Sequence, residues 1–299
     1  MTLPLRWFTD KTFEKKIVQC RGTACGDHAA LCNRTQLTGT GGDGSQVRFL
    51  LGGCSAINER SSSRESGKRA SRDLYGDIWR YSAERLPESS SPDRLVVPRS
   101  FAVSEWALFF AELFRPSRIP VHVDAVVESD IRRGRGYFSI DTCAPHIGAV
   151  GQMLRLAEKA HGMILVPQIE FLPVSGGSVS RTCTINQGGM AVAKGIAESV
   201  VPGSRMHLFH LDLRISDLDL LAHALFPKMQ PVYDHYGVQT GFEEFRGRVH
   251  RGMHAFEAFR KETADFAAAA AREMLAEGHD VAVVVGREYM LNPGVYDSH

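Results

Sequence analysis

The sequence predicts an α/β fold with mostly parallel sheets, and three observations carry that expectation. From Arg94 onward, short apolar runs alternate with stretches of helical length and amphipathic pattern. The helical stretches are punctuated by capping residues at their starts, such as Ser104 and Ser216 or Asp217, and by Gly162 at one end. The last apolar run, Asp280 to Tyr289, is continuously hydrophobic, as in a parallel strand buried on both faces.

The elements follow in order. Residues 1–60 read as a small Cys- and Gly-rich module. Residues 20–54 are rich in glycine and hold Cys20, Cys25, Cys32 and Cys54. The run Gly39 to Gly44 is turn material. No Gly-Lys-Ser/Thr follows it, so it is not a phosphate loop, and it follows no clear strand, which argues against dinucleotide binding. Val47 to Gly53 reads as a short strand.

Residues 61–92 form a linker and a helix. The Ser- and Arg-rich stretch from Arg60 to Arg72 cannot bury a core and reads as an exposed loop. Asp73 to Leu86 is helical, and Leu86 to Asp93 is a second loop.

The α/β part spans 93–299. Arg94–Pro98 is a strand, Ser104–Phe114 a helix capped by Ser104, and Ile119–Ala125 a strand. Gly136–Thr142 reads as a short strand, and Cys143 opens a helix that ends at Gly162. Met163–Pro173 is strand-like, with prolines that turn its far end into a loop. Beyond Cys183, Gly188–Ser199 is a helix, Met206–Leu213 a strand, Ser216–Phe226 a helix, and 242–278 one long helical segment. The aromatics of Trp106-Ala-Leu-Phe-Phe recur at helical spacing and belong to a core.

Composition bounds the function. The chain has 299 residues, 43% hydrophobic and 23% charged, and a net charge of +1. That is an ordinary globular balance, with no electrostatic case for nucleic acid or an anionic membrane. No apolar run approaches the roughly 20 residues that span a bilayer. The N-terminus lacks the apolar core of a secretory signal, so a cytoplasmic location is expected.

In that reducing setting six cysteines are not expected to form a disulfide framework. They lean toward metal binding or redox chemistry; the plainer alternative is small buried residues and loose thiols. Cys143 and Cys183 stand out because each precedes a helical run. Helix N-termini carry unpaired N–H groups and the positive end of the dipole, which favour a thiolate, the form that binds metal. The 39 residues between them make about one α/β unit, which allows both to face one crevice. Ligands gather at such strand-to-helix ends in parallel sheets. The N-terminal four, spaced C-x4-C-x6-C-x21-C, offer zinc or iron–sulfur ligation, with His28 as a substitute.

Four stretches in order then carry a resemblance. These are Val96–Phe114, with its Pro-Arg and Phe-Phe; Ile140–Met153, with Cys143 and Pro145; Cys183–Gly189, with Gln187 and Gly188; and Val283–Val295, with Gly286, Arg287, Tyr289, Pro293 and Gly294. Together they resemble the uncharacterised domain of CoA-substrate-specific enzyme activases. That domain is related to subunits of 2-hydroxyacyl-CoA dehydratases and to double-cubane cluster proteins. Cys25, Cys32, Phe49, Gly52 and Cys54 extend the similarity toward the N-terminus.

The resemblance implies flavodoxin- or Rossmann-like α/β domains and an iron–sulfur cluster, of 4Fe-4S type, in a crevice. It implies Cys143 and Cys183 as cluster ligands, with Gln187, Gly188 and Arg287 lining the site and Cys20, Cys25, Cys32 and Cys54 as further candidates. It implies an iron–sulfur electron-transfer or dehydratase-like component, whose partner is an ATP-hydrolysing activator or a further dehydratase-like subunit. The alternatives are a cluster-free scaffold of the same family and a zinc-stabilised regulatory protein. Thr184 and Glu288 replace prolines of the family pattern, and relatives continue beyond the last motif with more α/β structure. No ATP-binding segment is recognisable, so the chain is not expected to be the activase itself.

Other signals carry less. His250 and His254 have metalloprotease spacing, but Arg251 stands where a Glu would be needed. His207, His210, Asp141 and Glu170 receive no role.

Overall fold

The computed structural model describes residues 12–20, 32–40, 46–51, 73–138, 142–172, 181–214 and 217–279. The chain divides into two compact units between Ser71 and Arg72.

In the first unit, β1 (Thr12–Cys20), β2 (Cys32–Thr40) and β3 (Gln46–Leu51) form an antiparallel sheet in the order β1-β2-β3. Phe13 lies over its register partner Gly39, where an added Cβ would stand 2.8 Å from the ring. Gly39 and Thr40 therefore complete a strand instead of starting a turn. The glycine run does follow a strand, but it leads to the antiparallel neighbour β3. It is a hairpin connection with no helix behind it to bind a dinucleotide phosphate.

The second unit holds a four-stranded parallel sheet flanked by helices. Its elements are α1 (Leu74–Ala83), β4 (Leu95–Arg99), α2 (Val103–Glu112), β5 (Val121–Ala125), α3 (Glu128–Arg135), α4 (Ala144–Lys159), β6 (Ile164–Phe171), α5 (Thr184–Val200), β7 (Met206–Asp212), α6 (Leu218–His235) and α7 (Phe242–Ala276). The strand order is β5-β4-β6-β7.

Alternation explains why the central strands read as unbroken apolar runs. Leu95, Val97, Leu165 and Ile169 enter a core built with α2, α6 and α7. Val96, Ile164 and Val166 enter a second core built with α4 and α5. Each central strand is thus covered on both faces, as parallel sheets require.

Several sequence expectations are corrected. Ser104 does not cap α2; Ala102 does, without a side-chain hydrogen bond, and Ser104 sits buried in the first turn. Gly136–Phe138 form a turn after α3, not a strand, and Ser139–Asp141 lie outside the described residues. α3 was not expected, because Glu-Ser-Asp-Ile-Arg-Arg-Gly-Arg has almost no apolar stripe. Close backbone contact holds it instead. A Cβ on Gly134 would stand 2.0 Å from the Ile147 carbonyl oxygen, and one on Gly151 would stand 1.8 Å from that of Asp130. The strand from Met163 does not break at Pro167 but continues to Phe171. α6 runs on through Pro227 and Pro231. The expected strand from Asp280 lies outside the described residues.

α4 is also pinned by charge. Arg155 reaches Asp124 at the end of β5 (2.7 Å) and Asp130 in α3 (2.8 Å), and Asp130 accepts the Val127 N–H. Burial alone would raise the pKa of Asp124. Hydrogen bonds from His122, Arg155 and Gln152 outweigh it and hold the carboxyl well below the ordinary carboxylate range.

Candidate functional site

The sheet's topology reverses between β4 and β6. β4 is followed in chain order by β5 on one side, while β6 lies on the other, so the β4–β6 seam is the switch point where α/β sheets take ligands. Val96 donates its N–H to the Met163 oxygen, which sets the even-numbered residues of β4 toward β6. Ile164 donates to the Arg205 oxygen on the β7 side, so Leu165, Pro167 and Ile169 face β4. Pro98 and Pro167 therefore confront each other across the seam, and neither has an N–H to give. The ladder registers only at Val96–Ile164, and main-chain pairing stops where the prolines stand.

Asn186 of α5 closes this gap. Its Nδ2 donates to the Ile169 carbonyl (2.9 Å), and its Oδ1 accepts the Ala102 N–H (3.0 Å). The Thr182 hydroxyl donates to the same Ile169 oxygen. One buried side chain thus joins the ends of β4 and β6 where main-chain bonds stop.

Two helices start at this end, and both begin with cysteine. Cys143 is the N-cap of α4, with Pro145 behind it, and makes no side-chain capping bond. Cys183 is the N-cap of α5, and its Sγ accepts the Asn186 N–H at 3.3 Å. Both are partly buried and neither is in a disulfide. Gly136–Phe138 form a turn, and Ser139–Asp141, which lead from it toward Cys143, lie outside the described residues.

The first turns of these two helices also differ from the rest. α1, α2, α3, α6 and α7 each carry an acidic residue in the first turn: Asp77, Glu105, Glu128 with Asp130, Asp219, and Glu243 with Glu244. α4 and α5 carry none. Where the other helices offset their positive ends with carboxylates, these two place a thiol there.

The two helices meet close to those starts. A Cβ on Gly189 would stand 2.9 Å from the Phe101 ring and 3.3 Å from Cδ2 of His146. Phe101, in the turn after β4, has φ 48°, a left-handed conformation rare for a bulky residue and concentrated at functional sites. His146 lies between Phe101 and Phe138, its Nδ1 is 3.2 Å from the Thr142 hydroxyl, and its buried Nε2 has no hydrogen-bond partner among the described residues. Burial pushes its pKa down, so the ring is neutral near pH 7.

Of the residues expected at the site, Gln187 donates to the Thr182 carbonyl (2.6 Å), which ties it to the approach to α5. Gly188 has open space around it; the close approach falls one residue on, at Gly189. Arg287, Cys25 and Cys54 lie outside the described residues, and Cys20 and Cys32 belong to the first unit. His146 was missed, although Cys143-Ala-Pro-His146 is visible as a Cys-x-x-His spacing. His210, given no role, stands 3.1 Å from both Gln168 and Glu170 at the ends of β6 and β7.

Among the described residues, no three His, Cys, Asp or Glu side chains gather as a metal site. Thiols at helix N-termini suit an iron–sulfur cluster in kind, as N–H groups aimed at sulfur stabilise thiolate ligands. In number they supply half of the usual four. No described helix is long and apolar enough to cross a membrane.

A family profile described as the CoA enzyme activase uncharacterised domain matches residues 94–297, about two-thirds of the chain. No curated protein and no solved structure matches the chain.

Proposed function

The chain belongs to the family of the CoA enzyme activase uncharacterised domain, and from that premise we propose that it is a cluster-bearing component of a CoA-substrate enzyme activase or 2-hydroxyacyl-CoA dehydratase-type system. Membership in this family points to a partner enzyme system. In the proposed reading Cys143 and Cys183 are two ligands of a 4Fe-4S cluster, which when bound supplies one-electron transfer. The remaining ligands come from a partner subunit, a non-protein group or the N-terminal cysteines.

One observation carries the reading: two helices, α4 and α5, pair a cysteine cap with a first turn free of carboxylates. A carboxylate in either first turn would repel a thiolate and an anionic cluster; without one there, the dipole favours thiolate at both starts and the Asn186 N–H favours it at Cys183. The chain's own residues have defined parts in this. Asn186 fixes the start of α5 against both strand ends. Gln187 ties the turn before it. Phe101 and Phe138 keep water from the neutral His146 ring.

Iron and acid-labile sulfide measured after anaerobic purification test the proposal. The wild type is expected to be brown and to hold both, and Cys143→Ala and Cys183→Ala to lose them. A colourless, iron-free anaerobic protein ends the reading. The second reading, a cluster-free scaffold that binds the same kind of partner, is favoured by the count of two thiols without a third ligand among the described residues. It predicts stable binding to an ATP-hydrolysing activator or a dehydratase-like subunit by a metal-free chain.

A further inference from the structure

One buried polar atom beside the start of α4 is left without a use by the fold. His146 is 9% exposed, and its Nε2 has no hydrogen-bond partner among the described residues. Buried polar atoms are nearly always paired, so an unpaired one needs a reason. The flanking side chains of Phe101 and Phe138 offer only ring faces, with centroids 5.9 and 4.7 Å away.

The place of His146 in its helix is specific. With Cys143 as N-cap, His146 stands at N3, the position whose side chain reaches back to the cap in a capping box. α3 follows that pattern: Asp130, at its N3, accepts the Val127 N–H. α4 puts an imidazole there instead of a carboxylate. The Nδ1 side of the ring meets the hydroxyl of Thr142, the residue before the cap, at 3.2 Å. The opposite edge, at Cδ2, faces α5, where it would lie 3.3 Å from a Cβ on Gly189. Nε2 is bonded to Cδ2. The ring therefore stands between the first turn of α4 and the second turn of α5, the two helices capped by cysteine.

Burial keeps the ring neutral, so one of its nitrogens carries the proton. The Thr142 hydroxyl can donate to Nδ1, which leaves the proton on Nε2 as an unused donor. A spare donor between two helix starts that lack first-turn carboxylates suits an anionic acceptor.

We propose that the Nε2–H of His146 donates a hydrogen bond to sulfur of the cluster held by Cys143 and Cys183, and that this bond raises the cluster's reduction potential. The inference rests on the cluster reading above and adds a residue to it. One-electron reduction makes a cluster more negative, so a donor aimed at sulfur stabilises the reduced form more than the oxidised one. The proton stays on Nε2 and no ligand is exchanged.

The test compares the anaerobically purified full chain with His146→Phe and His146→Gln. Phe keeps an aromatic ring between Phe101 and Phe138 and removes the donor; Gln supplies an N–H donor again. Iron content is measured first, then the midpoint potential by redox titration followed by electron paramagnetic resonance. All three proteins are expected to hold equal iron. In His146→Phe the ratio of reduced to oxidised cluster at a fixed potential should fall about tenfold, a shift of 59 mV for one electron. His146→Gln should recover most of that shift. Equal midpoints in wild type and His146→Phe at equal iron would overturn this inference and leave the cluster reading standing. A wild type without iron would overturn both. A shift that Gln does not reverse, or iron lost from both variants, would assign His146 to packing and overturn its role as donor.

Discussion

Helix α4 carries two polar clusters built on opposite plans. Toward its C-terminal half, Arg155 is saturated: Asp124, Asp130 and the Ala125 carbonyl take its guanidinium, and Gln152 adds a bond to Asp124. At its start, Cys143 makes no capping bond and His146 keeps a buried nitrogen without a partner. Buried polar groups in proteins are nearly always satisfied, and those that are not need a reason. The first cluster holds α3 and α4 to β5. The second leaves hydrogen-bonding capacity beside the turn after β4. Similar polarity on one helix thus serves two ends: the guanidinium of Arg155 is fully paired with carboxylates, although Gln152 Oε1 and His122 Nδ1 beside it, like His146 Nε2, have no partner among the described residues.

The largest effect that would sharpen this contrast is on the saturated cluster. Arg155→Ala strands two carboxylates, of which Asp130 is 1% exposed. It should destabilise the fold by about 3–5 kcal/mol in denaturant titration. Cys143→Ser, at the cluster with open capacity, should change stability by less than about 1 kcal/mol in the metal-free protein. The sign with pH follows from Asp124. Its folded pKa is depressed, so its contribution is present above the unfolded value near 3.9 and fades as pH falls below about 4. Wild-type stability should drop there, and Arg155→Ala should lose most of that dependence.

A second contrast separates neighbouring glycines. Gly189→Ala forces a Cβ to within 2.9 Å of Phe101, and overpacking of this kind costs about 1–3 kcal/mol. Gly188→Ala meets nothing within 4 Å in a helix interior and should stabilise by roughly 0.5–1 kcal/mol. Thermal or chemical melts of the two variants check the order; a reversed order would move the close approach of α4 and α5 elsewhere.

Much of this architecture was legible because local pattern and tertiary placement agree. Leu95-Val-Val could be read as a strand because both its faces are covered. Asp217 could be read as a cap because its own side chain makes the bonds, to the amides of Asp219 and Leu220. Cys183 was legible as a helix entrance for the same local reason, since its Sγ accepts the Asn186 N–H; Cys143 makes no such bond, and Pro145 in the first turn marks its helix start instead. What the sequence hid depends on distant partners. α3 is held by glycine contacts 13 to 21 positions away in the chain. Pro167 reads as a breaker until Pro98 is seen across the seam. The Arg155 pairing and the burial of His146 exist only once α3, α4 and the β4 turn are assembled. β2 was hidden because Cys32-Asn-Arg-Thr-Gln-Leu-Thr-Gly-Thr has one aliphatic residue and little alternation to announce a strand.

The smallest expected effect concerns His146. Its folded pKa is depressed by burial, so its contribution to stability is present above the unfolded value near 6.5 and declines as pH falls below it. The decline approaches at most about 1.4 kcal/mol per pH unit. His146→Phe should flatten the fall in stability as pH drops below about 6.5. An unchanged slope would mean that the ring is not held neutral.

The cysteine caps are tested most directly by electron paramagnetic resonance on anaerobically prepared protein, reduced with dithionite, together with Cys143→Ser and Cys183→Ser. The account predicts a reduced-cluster signal in the wild type, at an intensity matching its iron, that is abolished or altered in line shape by each substitution. An iron-loaded protein whose signal is identical in all three would place the cluster elsewhere and contradict the account.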